Sequence, residues 1–280
     1  MARMTGGQAL IRSLRREGVR VIFGVPGVQL YHALDPLADE SEIKFITTRH
    51  EQGSAYMADG YARAGGGVGM AMVVPGPGLL NASAGIGTAY SVSSPVLVIS
   101  GQIRKDRLGL GRGELHEVDD QLQVIAPVTK WARRVEDPAG VPAAVHEAFL
   151  QLKTGRPRPV EIEIPEDTLA EVADIELFEP ESHQRPAAGE QSIHRAAEIL
   201  AASHRPVIWA GGGVIRSEAS GVLLEVAELL QAPVATSREG KGSVPESHYL
   251  SAGAPNFSFD SLETLVAAAD VVLAVGTRLA

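Results

Sequence analysis

Apolar positions along this chain switch repeatedly between helical spacing and short unbroken runs, and the switches lay out its elements. Ala9, Leu10, Leu14 and Val19 fall on one side of a helix that Thr5 is placed to cap. Val21-Ile22-Phe23 predicts a short strand, ended by Gly24-Val25-Pro26-Gly27. Ile43-Lys44-Phe45-Ile46-Thr47 predicts the next, which hands over near Glu51 to a helix with Ala55, Ala58 and Ala62 at i, i+3, i+7 and Tyr61 beside them. Gly69–Val74 predicts a fully buried strand, Pro75-Gly76-Pro77-Gly78 a turn and Asn81–Tyr90 a helix. Pro95–Ser100 predicts another strand. Polar residues accumulate from Gly101 to Gln123, as in a long functional loop. A helix near Pro142–Leu152 leads to Pro159–Pro165, whose alternation predicts an edge or final strand. Continuous apolar strands separated by helices predict an α/β fold, a doubly wound parallel sheet covered on both faces.

The pattern breaks once. From Asp174 to Gln191 the chain is acidic, proline-bearing and aperiodic, which divides it into a first domain over 1–173, a linker over 174–191 and a second unit over 192–280. The second unit opens with a helix, Ile193–Ala202, followed by a strand, Pro206–Ala210, and Gly211-Gly212-Gly213. A helix through Leu223, Val226, Ala227 and Leu230 and a strand at Pro233–Thr236 come next. Ala269–Arg278 predicts a buried strand and its exit loop, with no helix after it to cover the sheet. A domain ending there would expose apolar surface, so the second unit reads as incomplete.

Composition narrows the class without changing this layout. A chain of 280 residues, 45% hydrophobic, can bury a substantial core, and a net charge of −9 with no basic face or run argues against nonspecific nucleic-acid binding. Absence of cysteine removes disulfides and thiolate chemistry. The opening residues lack the apolar core of a signal peptide, and no apolar run is long enough to span a bilayer. A cytoplasmic protein with no membrane or nucleic-acid partner is expected.

The chemistry concentrates where strands end. Glu51 stands at a strand-to-helix junction, and ligands of open α/β sheets lie at the carboxyl ends of strands. A carboxylate at a helix start often serves only the exposed N–H groups there, and a glycine or proline often does no more than end a strand. Here the turns Gly24-Val25-Pro26-Gly27 and Pro75-Gly76-Pro77-Gly78, the turn before Glu51 and the turn at Gly101-Gln102 would all lie along one edge and converge on one crevice.

Arg49-His50-Glu51-Gln52-Gly53-Ser54-Ala55-Tyr56-Met57-Ala58-Asp59-Gly60-Tyr61-Ala62-Arg63 resembles the signature of thiamine-diphosphate enzymes of the acetolactate synthase type. So do Phe23–Gly27, Gly76-Pro77-Gly78 with Asn81, Ser100-Gly101-Gln102, Glu117-Val118-Asp119 and Pro127-Val128-Thr129-Lys130. Arg205–Gly213 with Gly240-Lys241-Gly242 resembles the start of that family's Rossmann-like central domain. The resemblance covers nearly the whole chain.

It implies an N-terminal pyrimidine-binding domain followed by part of a central domain, in a 2-oxo acid decarboxylase or carboligase. Glu51 would hydrogen-bond the aminopyrimidine N1′ of thiamine diphosphate and so promote loss of the thiazolium C2 proton. Gly24, Pro26 and Gly27 would line the pyrimidine or substrate side. Gly76, Gly78 and Asn81 would let the chain approach the cofactor closely, and Gln102 would face the reacting carbon. His116, where many relatives have Gln, is a candidate acid or base toward an acceptor carbonyl. Arg104, Lys105 and Arg107 form either a carboxylate-attracting cluster or a solvated loop. Gly253-Ala254-Pro255-Asn256-Phe257 replaces the Gly-Met-His-Gly of FAD-holding members and makes FAD doubtful. The Gly-Asp-Gly site for diphosphate and Mg2+ belongs to a third domain, so residues 1–280 alone should bind the cofactor weakly and catalyse nothing. A homodimer or homotetramer is expected of the complete protein, acting on a small 2-oxo acid or aldehyde. The alternatives are a benzaldehyde-lyase-like or oxalyl-CoA-decarboxylase-like enzyme, a noncatalytic subunit of a split enzyme, and a plain ligand-binding module.

Overall fold

The computed structural model describes residues 1–65, 67–183, 186–254 and 260–279. The chain divides into two compact units, Met1–Arg185 and Pro186–Ala280.

The first unit opens with β1 (Ala2–Thr5) and α1 (Gly6–Arg16). Thr5 caps α1 reciprocally: its Oγ1 accepts the Gln8 N–H at 3.1 Å, and the Gln8 side chain accepts the Thr5 N–H at 3.0 Å. There follow β2 (Val21–Gly24), α2 (Tyr31–Ala38), β3 (Lys44–Thr47), α3 (Glu51–Arg63), β4 (Gly69–Val73) and α4 (Pro77–Val92). The unit continues through β5 (Val96–Gln102), α5 (Gln121–Ile125), β6 (Trp131–Arg134), α6 (Val141–Lys153), β7 (Val160–Pro165), α7 (Glu166–Ala170) and β8 (Val172–Ile175). Strands β2 to β7 form one parallel sheet in the order β3-β2-β4-β5-β7-β6, and β1 pairs antiparallel with β8.

Alternate residues of the central strands serve opposite cores. Met70, Met72, Leu97 and Ile99 pack with Leu10, Leu14, Val145 and Phe149 of α1 and α6. Ala71, Val73, Val96 and Val98 pack with Ala55, Ala58, Ala82 and Ile86 of α3 and α4. This is the doubly wound α/β arrangement that unbroken apolar strands predict.

Four differences from the sequence expectation have physical causes. Strand β7 is not an edge: it pairs with β5 on one side and β6 on the other and is buried throughout. Its alternation arises because Glu161 and Glu163 face a buried polar cluster instead of water. The true edge, β6, reads Trp131-Ala132-Arg133-Arg134 and has too little apolar signal to be seen. Helix α4 begins at Pro77, a residue suited to the first helical turn, and runs on to Val92. Strand β8 continues two residues into the stretch read as linker, held by pairing of Asp174 and Ile175 with Arg3 and Ala2.

The second unit contains α8 (Glu190–Ala201), β9 (Pro206–Ala210), α9 (Gly212–Arg216), α10 (Ser220–Leu230), β10 (Val234–Thr236), β11 (Ser251–Gly253), α11 (Asp260–Ala268) and β12 (Val271–Val275). Its parallel sheet has the order β11-β10-β9-β12. Ile208, Ala210, Leu223, Ala227 and Val234 make its core. Strand β12, expected to be buried, is only half covered. Leu273 and Val275 pack against that core, whereas Val272 is 40% exposed.

Candidate active site

The chain leaves β2 toward β3 on one side and later enters β4 on the other. Loops departing in opposite directions open a crevice at the carboxyl ends of these two strands. The turns singled out from the sequence meet there. A Cβ on Gly27 would fall 2.3 Å from Val74 Cγ1, and one on Gly78 would fall 2.6 Å from Val74 Cγ2. Val74 is thus wedged between the two turns, packed so closely that neither glycine has room for a side chain.

Glu51 is the first residue of α3. His50 caps that helix by accepting the Gln52 N–H on Nδ1 at 3.2 Å, so the Glu51 carboxylate is left for other partners. Asn81 Nδ2 donates to Glu51 Oε2 at 3.0 Å. The other oxygen, Oε1, lies 3.7 Å from where a Gly78 Cβ would be. The two helices approach closely enough for this bond because Gly85 of α4 crosses directly over Ala55. A Cβ on Gly85 would lie 2.6 Å from Ala55 Cβ.

Gly76 adopts φ +54°, which favours glycine, and its surroundings also forbid a side chain: a Cβ would meet the His116 carbonyl oxygen at 2.2 Å. The Gly76 N–H donates to Gln121 Oε1 at 2.7 Å. His116 itself has φ +71°, rare for a residue with a side chain. Its Nδ1 lies 3.0 Å from Gln29 Oε1, and Gln29 Nε2 donates to the Leu115 carbonyl at 3.1 Å. Gly101 closes the group, since a Cβ there would touch Gln29 and Pro75. The neighbouring Glu117 carboxylate accepts the N–H groups of Glu114, Gly113 and Gly111. These bonds, led by that of Glu114, lower its proton affinity.

Not every expected residue lines the crevice. Gly24 ends β2, pressed between the Met72 carbonyl and the Phe45 ring, so its smallness serves packing. Pro26 is exposed. Gln102 is 1% exposed and turned inward: its Nε2 donates to Glu163 Oε1 at 3.0 Å and its Oε1 accepts the Ile103 N–H at 2.7 Å. The basic loop residues are engaged with acids, Arg104 with Asp106, Lys105 with Glu171 and Arg107 with Glu114. That pairing favours the structural reading of the cluster.

Behind the crevice lies a buried polar cluster that the sequence reading missed. Gln121 Nε2 donates to Ser100 Oγ at 2.9 Å, the Gly101 carbonyl at 3.1 Å and Glu163 Oε2 at 3.2 Å. Ser100 donates to Glu161, and Arg134 pairs with Glu163. Both glutamates are fully buried. Burial pushes the Glu161 carboxyl well above its ordinary value, opposed by the Ser100 hydrogen bond. Its Oε2 has no partner among the described residues. The only signal in the sequence was the pair of acids alternating with Val160, Ile162 and Ile164.

Residues 4–124 match the thiamine pyrophosphate enzyme N-terminal TPP binding domain, and residues 193–280 match the thiamine pyrophosphate enzyme central domain. The chain belongs to the thiamine pyrophosphate enzymes. Similar proteins include a probable 2-ketoarginine decarboxylase, AruI, of Pseudomonas aeruginosa, 41% identical over 99% of this chain and 49% of its own length. A probable acetolactate synthase large subunit of Methanocaldococcus jannaschii is 38% identical over 98% and 47%. The acetolactate synthase large subunit of Lactococcus lactis is 35% identical over 98% and 48%. The chain spans about half the length of the curated relatives it matches. Of the stretch that bears on FAD, Pro255, Asn256 and Phe257 lie outside the described residues.

Proposed function

We propose that this chain is the pyrimidine-binding part of a thiamine-diphosphate-dependent 2-oxo acid decarboxylase or carboligase, similar to acetolactate synthase. The observation that carries the reading is the Glu51 carboxylate, held by Asn81 at the switch-point crevice. The residues present suit a flat heteroaromatic group: the Glu51 Oε1 lies 3.7 Å from where a Gly78 Cβ would be, beside the apolar Val74 that packs against Gly27 and Gly78. Glu51 would hold a proton shared with the cofactor pyrimidine, and Asn81 would fix which carboxylate oxygen meets it. When bound, the cofactor supplies a C2 carbanion equivalent able to attack a 2-oxo acid. His116, anchored over Gly76, would exchange a proton with the substrate side.

Mg2+ and the diphosphate would be held by residues beyond this chain. The complete enzyme would work in the cytoplasm as a homodimer or homotetramer, with the second half of each site supplied by another domain. The similarity to a protein named a 2-ketoarginine decarboxylase favours decarboxylation of a longer 2-oxo acid as the second reading.

The test is exchange of the cofactor C2 proton for deuterium in the full-length protein, with Glu51→Gln as the comparison. Loss of exchange by about 10²-fold or more is expected. Wild-type exchange in the variant would refute the assignment. Product analysis with pyruvate and with 5-guanidino-2-oxopentanoate then separates carboligation from decarboxylation.

A further inference from the structure

We propose that Gln29 is a positioning residue that fixes the tautomer of His116 and so determines which ring nitrogen the site presents. The role of His116 rests on the proposed function, whereas its tautomer follows from the geometry of the chain alone. Gln29 lies in the short turn after Gly27 and is 4% exposed. The Leu115 carbonyl can only accept, so the Gln29 NH2 group must face it, at 3.1 Å. The amide cannot then flip, and its oxygen must face His116 Nδ1, at 3.0 Å. Two acceptors cannot share that contact, so Nδ1 carries the proton. In the neutral ring Nε2 is left with its lone pair, and among the described residues it has no hydrogen-bond partner.

The backbone is built around this arrangement. His116 is held at φ +71°, with its carbonyl against Gly76. Such a conformation persists only where the surroundings over-determine it. Gln29 is in turn packed under Gly101, where a Cβ would fall 3.1 Å from Gln29 Cβ. One buried amide therefore joins the ends of β2 and β5 to the His116 loop. It makes His116 a proton acceptor at Nε2, suited to a substrate or intermediate that offers a hydroxyl or N–H there.

The experiment uses full-length protein with 13C,15N-histidine, studied by magic-angle-spinning NMR at a pH of about 9, above the ordinary imidazole range. A His116→Asn difference spectrum identifies the ring. Wild type should show the proton on Nδ1, and Gln29→Met should shift it to Nε2. With whichever of pyruvate or 5-guanidino-2-oxopentanoate wild type turns over faster, Gln29→Met should lower kcat about tenfold, with KM little changed. Added to His116→Asn, it should cost nothing more. An Nε2–H ring in wild type, an unmoved tautomer in Gln29→Met, or losses that multiply in the double variant would each overturn the proposal. Absence of C2-proton exchange in wild type would overturn the cofactor reading and the pair's share in the reaction. Normal exchange with the wrong tautomer would overturn the pair alone.

Discussion

At the scale of single residues, two carboxylates in one domain are set in opposite conditions. Glu51 sits at the crevice with one amide donor. Removing that donor with Asn81→Ala should weaken thiamine diphosphate binding to the full-length protein about tenfold, the worth of one such hydrogen bond. A fluorescence titration giving an unchanged Kd would show that Asn81 does not orient Glu51. Glu161 is buried with a raised proton affinity, so above its unfolded value of 4.5 the unfolded chain ionises while the folded one resists. The folded state therefore loses ground as pH rises, and Glu161→Gln should gain in Tm relative to wild type between pH 4 and pH 8. A gain that is flat or reversed with pH would mean that the glutamate is ionised in the fold. Glu51 was legible because strand, turn and helix signals converge on it. Glu161 was not, since an acid alternating with apolar residues has the same pattern whether it meets water or a buried Ser100.

At the scale of elements, the geometry of the site depends on how closely α3 and α4 cross. Gly85→Ala would put a methyl 2.6 Å from Ala55 Cβ and 2.9 Å from the Tyr56 nitrogen, positions with little freedom to yield. The helices must separate, at a cost of about 1–3 kcal/mol, and the Glu51–Asn81 bond should lengthen with them. Chemical denaturation together with C2-proton exchange would check both effects, and a variant of normal stability and exchange would show that the crossing is compliant. The central strands and major helices were readable because each buries an unbroken or periodic apolar set. Strands β1, β6 and β8 and helix α2 escaped because they are short, and several of their residues face outward. The crevice was foreseeable from glycines and prolines at strand ends. Gln29 and Gln121 were not, because an isolated glutamine carries no periodic signal and its value lies in what it touches across the fold.

At the scale of the molecule, each unit has its own core and its own response to acid. In the second, Asp270 accepts from the Ser203 hydroxyl and from the N–H groups of His204 and Arg205, tying the end of α8 to β12. These bonds, the Ser203 one foremost, bring its pKa from 3.8 down to about 2. A depressed acid stabilises the fold above its unfolded value and loses that contribution as pH falls from 3.8 toward 2. Asp270→Asn should therefore raise the acid midpoint followed by Trp209 fluorescence, and the two proteins should converge below about pH 2. Equal midpoints would assign acid sensitivity elsewhere. The loop that carries His116 offers a different handle. Gly109, Gly111 and Gly113 all have positive φ and open space around them, and Arg112 between them is exposed. Glu117 and the Arg107–Glu114 pair fasten the loop at its ends and leave the Arg112 side chain exposed. Trypsin should therefore nick the native protein early after Arg112, leaving two fragments that stay associated through the sheet, and slower cutting in the presence of a ligand would report that the site has filled without any assay of turnover.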